Sequence, residues 1–454
     1  MSQLSVLNRR AFLKGAGMTA LAGAVGTASS ATTAVQGYKG ADGKFNFDEP
    51  YDRVGTDCNK WDLQIDRFGR ENIVVPMGIA DMDFRTAPVI TEALVKRCQH
   101  ENWGYLTLPE SYKESIVRWN KSRYGEEIDA DLLLNSTGVI PAIHSALRAF
   151  AAPGSKVIIQ APVYSSFYWI IGKAHCKVEE SPLKLVNGRY EMDFEDLERR
   201  IDHDTDVLIL CNPHNPTGNC WSAADLETLG EICTRRRVVV FADEIHCDFV
   251  NKGHTYTPYS KLDNEAAVRN SITFKSTSKS FNLAATKCAY MYSGNADYIQ
   301  RIMDAGHIET VNTLGIVASE MAYNEGADWL DQVTEYIDGN MDFAQQFIEA
   351  EIPLVEWRKP QGTYLAWLDM SALSRKIGAR EMAVEANKTR PPDTAEIQPE
   401  HMIEKYLVEN AGVQLNDGYK YGYGSGGYMR MNLATSRQLV EAALNNIAAA
   451  AKKA

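Results

Sequence analysis

Between residues 150 and 290 the chain alternates short, unbroken apolar runs with longer stretches whose apolar positions recur every three or four residues. The runs KVIIQ (156–160), DVLIL (206–210), VVVFA (238–242) and SITF (271–274) lack the polar alternation of a half-exposed strand. Such strands belong in a sheet covered on both faces. Between the second and third runs, SAADLETLGEICTRR sets Leu226, Leu229, Ile232 and Cys233 along one helical face. It opens on Ser222 with Asp225 three residues later, which is an N-cap signature. Strand, helix and strand in this order predict βαβ units, and so an α/β fold with a largely parallel sheet.

Ligands of open α/β sheets bind beyond the carboxyl ends of the strands. Polar residues follow three of the runs at that end: NPHNPTG, DEIHCDF and KSTSKSF. Their convergence on one edge would make a site. Elsewhere, NKTRPPDTAEIQPE (387–400) reads as an exposed excursion. GYGSGG (422–427) matches the glycine spacing of a dinucleotide loop, but no strand-to-helix unit surrounds it, and it reads as a glycine-rich turn.

Composition narrows the partners. A chain of 454 residues can bury a large core and a smaller second one. Its net charge of −12 gives no footprint for nucleic acid, leaving neutral or zwitterionic small molecules as the expected ligands. The eight cysteines are scattered without a C-x-x-C pair, so neither a zinc site nor a disulfide framework is indicated. At the start, NRRAFLKGAGMTALAGAVGTASSATTA resembles a twin-arginine export signal, with Arg9 and Arg10 ahead of Phe12, Leu13 and a weakly apolar run. It implies export of the folded protein to the periplasm by the twin-arginine machinery, with residues 1–36 as the signal. The alternative is an N-terminal membrane anchor facing the periplasm, for which so much Gly, Ala, Ser and Thr makes a poor span.

SITFKSTSKSFNLAATKCAY (271–290) holds three lysines. One that attacks an aldehyde needs a largely dry pocket in which its amine can be neutral. Lys275 continues a strand run, which by itself does not exclude it, whereas Lys279 lies in the loop beyond, among Ser276, Ser278 and Ser280. At this point the chain resembles the pyridoxal-phosphate enzymes of aminotransferase fold type I. The resemblance implies that Lys279 joins the aldehyde of pyridoxal 5'-phosphate and that Lys287 is a cationic ligand of its phosphate.

The same resemblance implies roles for other positions in chain order. Asn215 in HNPTG would hydrogen-bond the phenolic oxygen of the cofactor, and Asp243 would pair with the pyridinium nitrogen; His246 would lie near that oxygen or serve as a buried structural histidine. An acid there keeps the ring protonated and makes it an electron sink. Tyr164 in APVYSSF would stack on the ring. Gly138, Val139 and Ile140 open a helix whose N–H groups would hold the phosphate, with Ser276 beside them. Tyr105 in WGYLTLPE would reach the phosphate of a neighbouring subunit, which implies a homodimer with shared sites. Arg430 in YMRMNLATSR would fork onto the α-carboxylate of an amino-acid substrate, and Ile79 and Ala80 would contact the same substrate. His214, beside Asn215, reads as structural.

GTDCNKWD, GIADMDFRTAP and FADEIHCDF are similar to one branch of this fold type, that of the MalY and PatB proteins, which are cystathionine or cysteine-S-conjugate β-lyases. QGTYLAWLDM and GVQLNDGYKYGYGSGGYMRMN extend the likeness from about residue 45 to the end. It implies a mostly parallel seven-stranded sheet between helices over residues 86–326, and a smaller α+β domain built from 37–85 and 327–454. It also implies cleavage of a carbon–sulfur bond to give thiol, pyruvate and ammonia. Transamination shares the early steps, and Lys279, Asp243 and Arg430 do not separate the two outcomes. A binding or regulatory protein that keeps the fold without turnover is a third reading. Ser165 and Ser166, NLAATK without the glycine usual before the cation, and the 387–400 excursion depart from the branch pattern. They bear on the substrate more than on the cofactor.

Overall fold

The computed structural model describes residues 38–454, so the export signal expected over 1–36 lies outside the described residues. Seven strands form the central sheet: β1 (Leu133–Ser136), β2 (Lys156–Ile159), β3 (Lys177–Glu180), β4 (Thr205–Cys211), β5 (Val239–Asp243), β6 (Ser271–Lys275) and β7 (Ala289–Tyr292). Their order across the sheet is β1-β7-β6-β5-β4-β2-β3. Only β7 runs antiparallel to its neighbours, so the sheet is mostly parallel, as the unbroken apolar runs require.

The period of two along each strand divides the core. Val207, Ile209 and Cys211 of β4 and Phe241 of β5 pack on one face against the helix Val139–Phe150. Leu208, Leu210, Val240 and Ala242 pack on the other against Leu226, Leu229, Ile232 and Cys233 of the helix Ala223–Arg236. That helix opens with the reciprocal Ser222 and Asp225 capping box that the sequence predicts. Six of the eight cysteines are buried and none is disulfide-bonded.

A three-stranded antiparallel sheet follows, with β8 (Leu365–Asp369), β9 (Asn416–Asp417) and β10 (Tyr428–Asn432) in the order β8-β10-β9. The helices Pro399–Ala411 and Arg437–Lys453 pack with it in a core that also takes in residues 38–90. Val75 and Pro76 pair in parallel with Val413 and Gln414, which ties the two ends of the described chain together. Residues 389–398 form the expected excursion, but Asn387 and Lys388 end one helix, and Glu400, at the start of the next, is buried. The GYGSGG stretch is a set of turns leading into β10, with Gly422, Gly424 and Gly427 at positive φ.

Gly218, in the turn after β4, combines φ +70° with a backbone so close to the 360–362 segment that a Cβ would lie 2.3 Å from Pro360 Cβ and 2.8 Å from Gly362 O. Its own carbonyl accepts from the N–H groups of Gln361 and Gly362 at 3.0 and 2.8 Å. The turn therefore clamps the central sheet to the segment preceding β8. Gly218→Ala is expected to lower the unfolding free energy by about 1–3 kcal/mol; denaturant melts unchanged from wild type would contradict this packing.

Candidate active site

The carboxyl ends of β1, β2, β4, β5 and β6 bring together most of the residues singled out in the sequence. Asp243 is the last residue of β5, in register with Cys211 of β4 and Phe274 of β6. Asn215 follows β4 and Lys279 follows β6. Lys279 sits in a helical turn, Thr277–Ser280, rather than a loop. Buried hydrogen bonds set this turn: Thr277 Oγ1 meets Ser319 Oγ at 2.8 Å, and the Ser280 hydroxyl donates to Asp248. Ser276 Oγ accepts from the Ser278 N–H at 3.0 Å and donates to the Cys288 carbonyl at 2.8 Å.

The lysines divide sharply. Lys275 points into the protein, 2% exposed, where it pairs with Glu126, approaches Glu244 Oε2 at 3.5 Å and donates to Asn120 Oδ1 at 3.0 Å. Burial alone would lower its pKa, but Glu126, Tyr292 and their neighbours hold it well above the usual value. It is a permanently charged structural lysine. Lys279 Nζ donates to the Ala80 carbonyl at 2.7 Å, and its half-buried side chain has no ion pair with a carboxylate among the described residues. Burial first, and then the charge of Arg430, lower its pKa to about 8 against the opposing pull of Asp81 and Asp243. Lys287 is exposed and without an ion pair among the described residues. It lies two residues before Ala289, whose partner in β1 is Ser136, and so sits beside the turn at 137–138.

Asp243 is buried, and burial pushes its carboxyl up to about 7, against the Ile245 N–H, which it accepts at 3.2 Å, and the Lys279 charge. Asn215 Oδ1 accepts from Arg430 Nη1 at 3.2 Å, leaving the amide NH2 without a partner among the described residues. Arg430, in β10 and 3% exposed, also donates through Nη2 to the Gly78 carbonyl at 2.9 Å, while its Nε is buried without a hydrogen-bond partner among the described residues. His246 is 2% exposed, and its Nδ1 has no hydrogen-bond partner among the described residues. Burial, then Lys279 and Arg430, hold that ring well below its usual pKa and keep it neutral. His214 is tied by Nε2 to the Pro162 carbonyl at 2.8 Å, as a structural histidine would be.

Gly138 precedes the helix Val139–Phe150, which has no side-chain cap. Its first N–H groups, including those of Val139 and Ile140, have no intrahelical acceptor. Tyr164, half-buried, lies edge-on to Phe167 with centroids 5.7 Å apart. Tyr105 is fully exposed and is not brought to this site within its own chain.

Sequence reasoning missed how the segment 78–82 is held. Its five consecutive carbonyls all accept from side chains. Gly78 takes Arg430, and Ile79 takes Asn432 at 2.7 Å. Ala80 takes Lys279 and Tyr364, the latter at 2.9 Å. Asp81 takes Asn432 at 2.6 Å and Lys60 at 3.0 Å, and Met82 takes Asn282 at 2.9 Å and Arg53 at 3.1 Å. Ile79 and Ala80 are thus fixed against the site by main chain. Asp81 is gripped by Arg53 through two bonds of 2.8 and 3.0 Å, which holds its carboxyl low although burial alone would raise it.

The donor set fits a phosphorylated pyridine aldehyde. An uncapped helix N-terminus beside a free lysine suits a phosphate, a buried acid suits a ring nitrogen, and a neutralisable amine suits the aldehyde. The orphaned Arg430 Nε and the open Asn215 amide leave donors for a carboxylate and a phenolic oxygen.

The chain belongs to the class I and II aminotransferase family, whose model matches residues 72–447. Within it, the chain is 36% identical over 411 residues to cystathionine beta-lyase PatB of Bacillus subtilis, covering 89% of this chain and 99% of that protein. It is 30% identical over 403 residues to protein MalY of Escherichia coli, covering 87% and 96% of the two chains. A PLP-bound putative aminotransferase from Clostridium difficile superposes with a TM-score of 0.81 at 36% identity, over 90% of this chain and all of that one.

Two outcomes follow for the lysines. Lys275→Ala strands two buried carboxylates and should cost about 3–5 kcal/mol of stability. In cofactor-free protein, labelling of Lys279 by an amine-directed arylating reagent, located by peptide mapping, should rise with a midpoint near pH 8, because only the neutral amine reacts. A midpoint above about 10, the ordinary lysine range, would contradict the electrostatics of the cleft.

Proposed function

We propose that this protein is a pyridoxal-phosphate-dependent carbon–sulfur β-lyase that cleaves cystathionine or cysteine S-conjugates to thiol, pyruvate and ammonia. The observation that carries the chemistry is the half-buried amine of Lys279, held near a pKa of 8 within electrostatic reach of Asp243 and Arg430. The choice of lyase rests on the likeness to PatB over nearly the whole of both chains.

Lys279 holds the cofactor through its amine. The N–H groups of Gly138, Val139 and Ile140, with Ser276 and Lys287, hold the phosphate. Asp243 would keep a proton on the ring nitrogen, Asn215 and His246 would hold the phenolic oxygen, and Tyr164 would pack on the ring. When bound, pyridoxal phosphate supplies an aldehyde for the substrate amine and a sink for the electrons left at Cα. Arg430 orients the α-carboxylate through its fork, and Ile79 and Ala80 close the site beside it. Lys279 in its neutral form would take the Cα proton as general base, and the thiolate would leave from Cβ.

The same reading makes residues 86–326 the cofactor-holding domain and 37–85 with 327–454 the smaller one. It makes the active unit a homodimer in which Tyr105, fully exposed on its own chain, reaches the partner's phosphate site. The Arg9-Arg10 motif supports export of the folded protein to the periplasm through the twin-arginine pathway.

Aminotransfer is the second reading, favoured by the family match and the C. difficile structure. Purified holoprotein given cystathionine should release thiol and pyruvate in equal amounts; exchange between an amino acid and a keto acid, without thiol, would replace the lyase by a transferase. Tyr105→Phe should weaken cofactor retention, and an active monomer in sedimentation would overturn the shared site.

A further inference from the structure

A cavity of about 340 Å³ opens between the hairpin formed by Lys184–Val186 and Arg189–Glu191, the turn at 217–219 and the segment 356–361. Lys279, Asp243, Asn215 and Arg430 do not line it. One wall is aromatic: Trp367 stacks on Tyr428 with centroids 5.0 Å apart and planes at 12°, and the Trp367 indole N–H donates to Tyr190 Oη at 3.3 Å.

The rest of the lining carries charges that do not satisfy one another. The Arg189 guanidinium has no hydrogen bond or ion pair among the described residues, and that of Arg358 makes only one bond, from Nη1 to the Asn187 carbonyl at 3.2 Å. Lys359 is neutralised by Asp338 and Asp342 at 2.8 and 2.6 Å. His254, in the same wall, is held below its usual pKa by burial and then by Arg189 and Lys359, so it adds no charge at neutral pH. Of the two acids present, Asp369 already accepts from the Ser371 N–H at 2.8 Å, whereas the Glu356 carboxylate has no partner among the described residues. The Thr217 hydroxyl is buried in the lining without a hydrogen bond among the described residues.

Two exposed cations without an ion pair among the described residues, one exposed carboxylate likewise unpaired and an orphaned hydroxyl beside stacked aromatic rings suit a ligand that carries both signs of charge on an aromatic body. Charge-assisted bonds to each end would satisfy groups that otherwise gain nothing from one another. We propose that this cavity binds a free aromatic α-amino acid. Arg189 and Arg358 receive its carboxylate, Glu356 its ammonium, and the Trp367 wall its ring. The site is separate from the catalytic one but close to it: Trp367 pairs with Arg430 in register, and the Tyr421 ring lies 5.1 Å from Trp367 and 5.4 Å from the Arg430 guanidinium. The proposal does not depend on the lyase reading.

The test is calorimetric titration of the holoprotein with L-tryptophan. Wild type should bind it saturably. The double variant Arg189→Ala, Arg358→Ala should bind it at least about tenfold more weakly, and so should Glu356→Gln, both keeping the visible absorbance and melting temperature of wild type. On wild type, tryptamine and indole-3-propionate, each lacking one charge, should also bind about tenfold more weakly than tryptophan. A double variant that titrates like wild type, or no saturable tryptophan binding at all, would overturn the site. Indole-3-propionate binding as tightly as tryptophan would overturn the amino-acid assignment.

Discussion

An amine that must lose its proton near neutral pH while acids surround it depends on a balance of charges, and the rest of this structure serves that balance at Lys279. Burial and Arg430 disfavour the ammonium; Asp81 and Asp243 favour it. Neither acid acts at full strength. Asp81 is gripped by Arg53, which offsets its field, and Asp243 is itself pushed up to about 7 by burial, so it is only partly ionised at neutral pH. Four residues away, Lys275 shows the opposite result of the same physics. More deeply buried than Lys279, it sits against Glu126 and near Glu244, and there the carboxylates win. Partner placement separates a lysine whose pKa is lowered from one held charged.

Placement in turn depends on the way distant parts of the chain are sewn together. The sheet supplies Asp243, Asn215 and the Lys279 turn from neighbouring strand ends, but Arg430 and the 78–82 segment come from the two ends of the described chain. The row of carbonyls at 78–82, each taken by a side chain, holds the N-terminal segment where Arg430 can reach both Gly78 and Asn215.

The parts of this arrangement that depend on local pattern were legible in the sequence. β2, β4, β5 and β6, the helix after Ser222 with its capping box, and the helix start at Gly138 all follow from spacing within a dozen residues. The candidates Lys279, Asp243, Asn215 and Arg430 came from the family resemblance that their motifs carry, and the fold draws them together. What depends on long-range pairing was not legible. The salt-bridged state of Lys275 needs Asn120, Glu126 and Glu244, and nothing near position 275 signals them. The roles of Asn432 and Tyr364 in holding the 78–82 carbonyls likewise exist only once the chain has folded, although Tyr364 and Asp81 lie in stretches that the branch resemblance picks out. The helical turn that carries Lys279 is set by Ser319 and Asp248, which explains why so hydroxyl-rich a stretch reads as a loop.

The most direct measurement is borohydride reduction of the coloured holoprotein followed by mass mapping of its peptides. A single reduced pyridoxyl adduct on Lys279, with Lys275 and Lys287 unmodified, is the result this account predicts. An adduct on Lys275, or colour that survives reduction with no lysine modified, would contradict it.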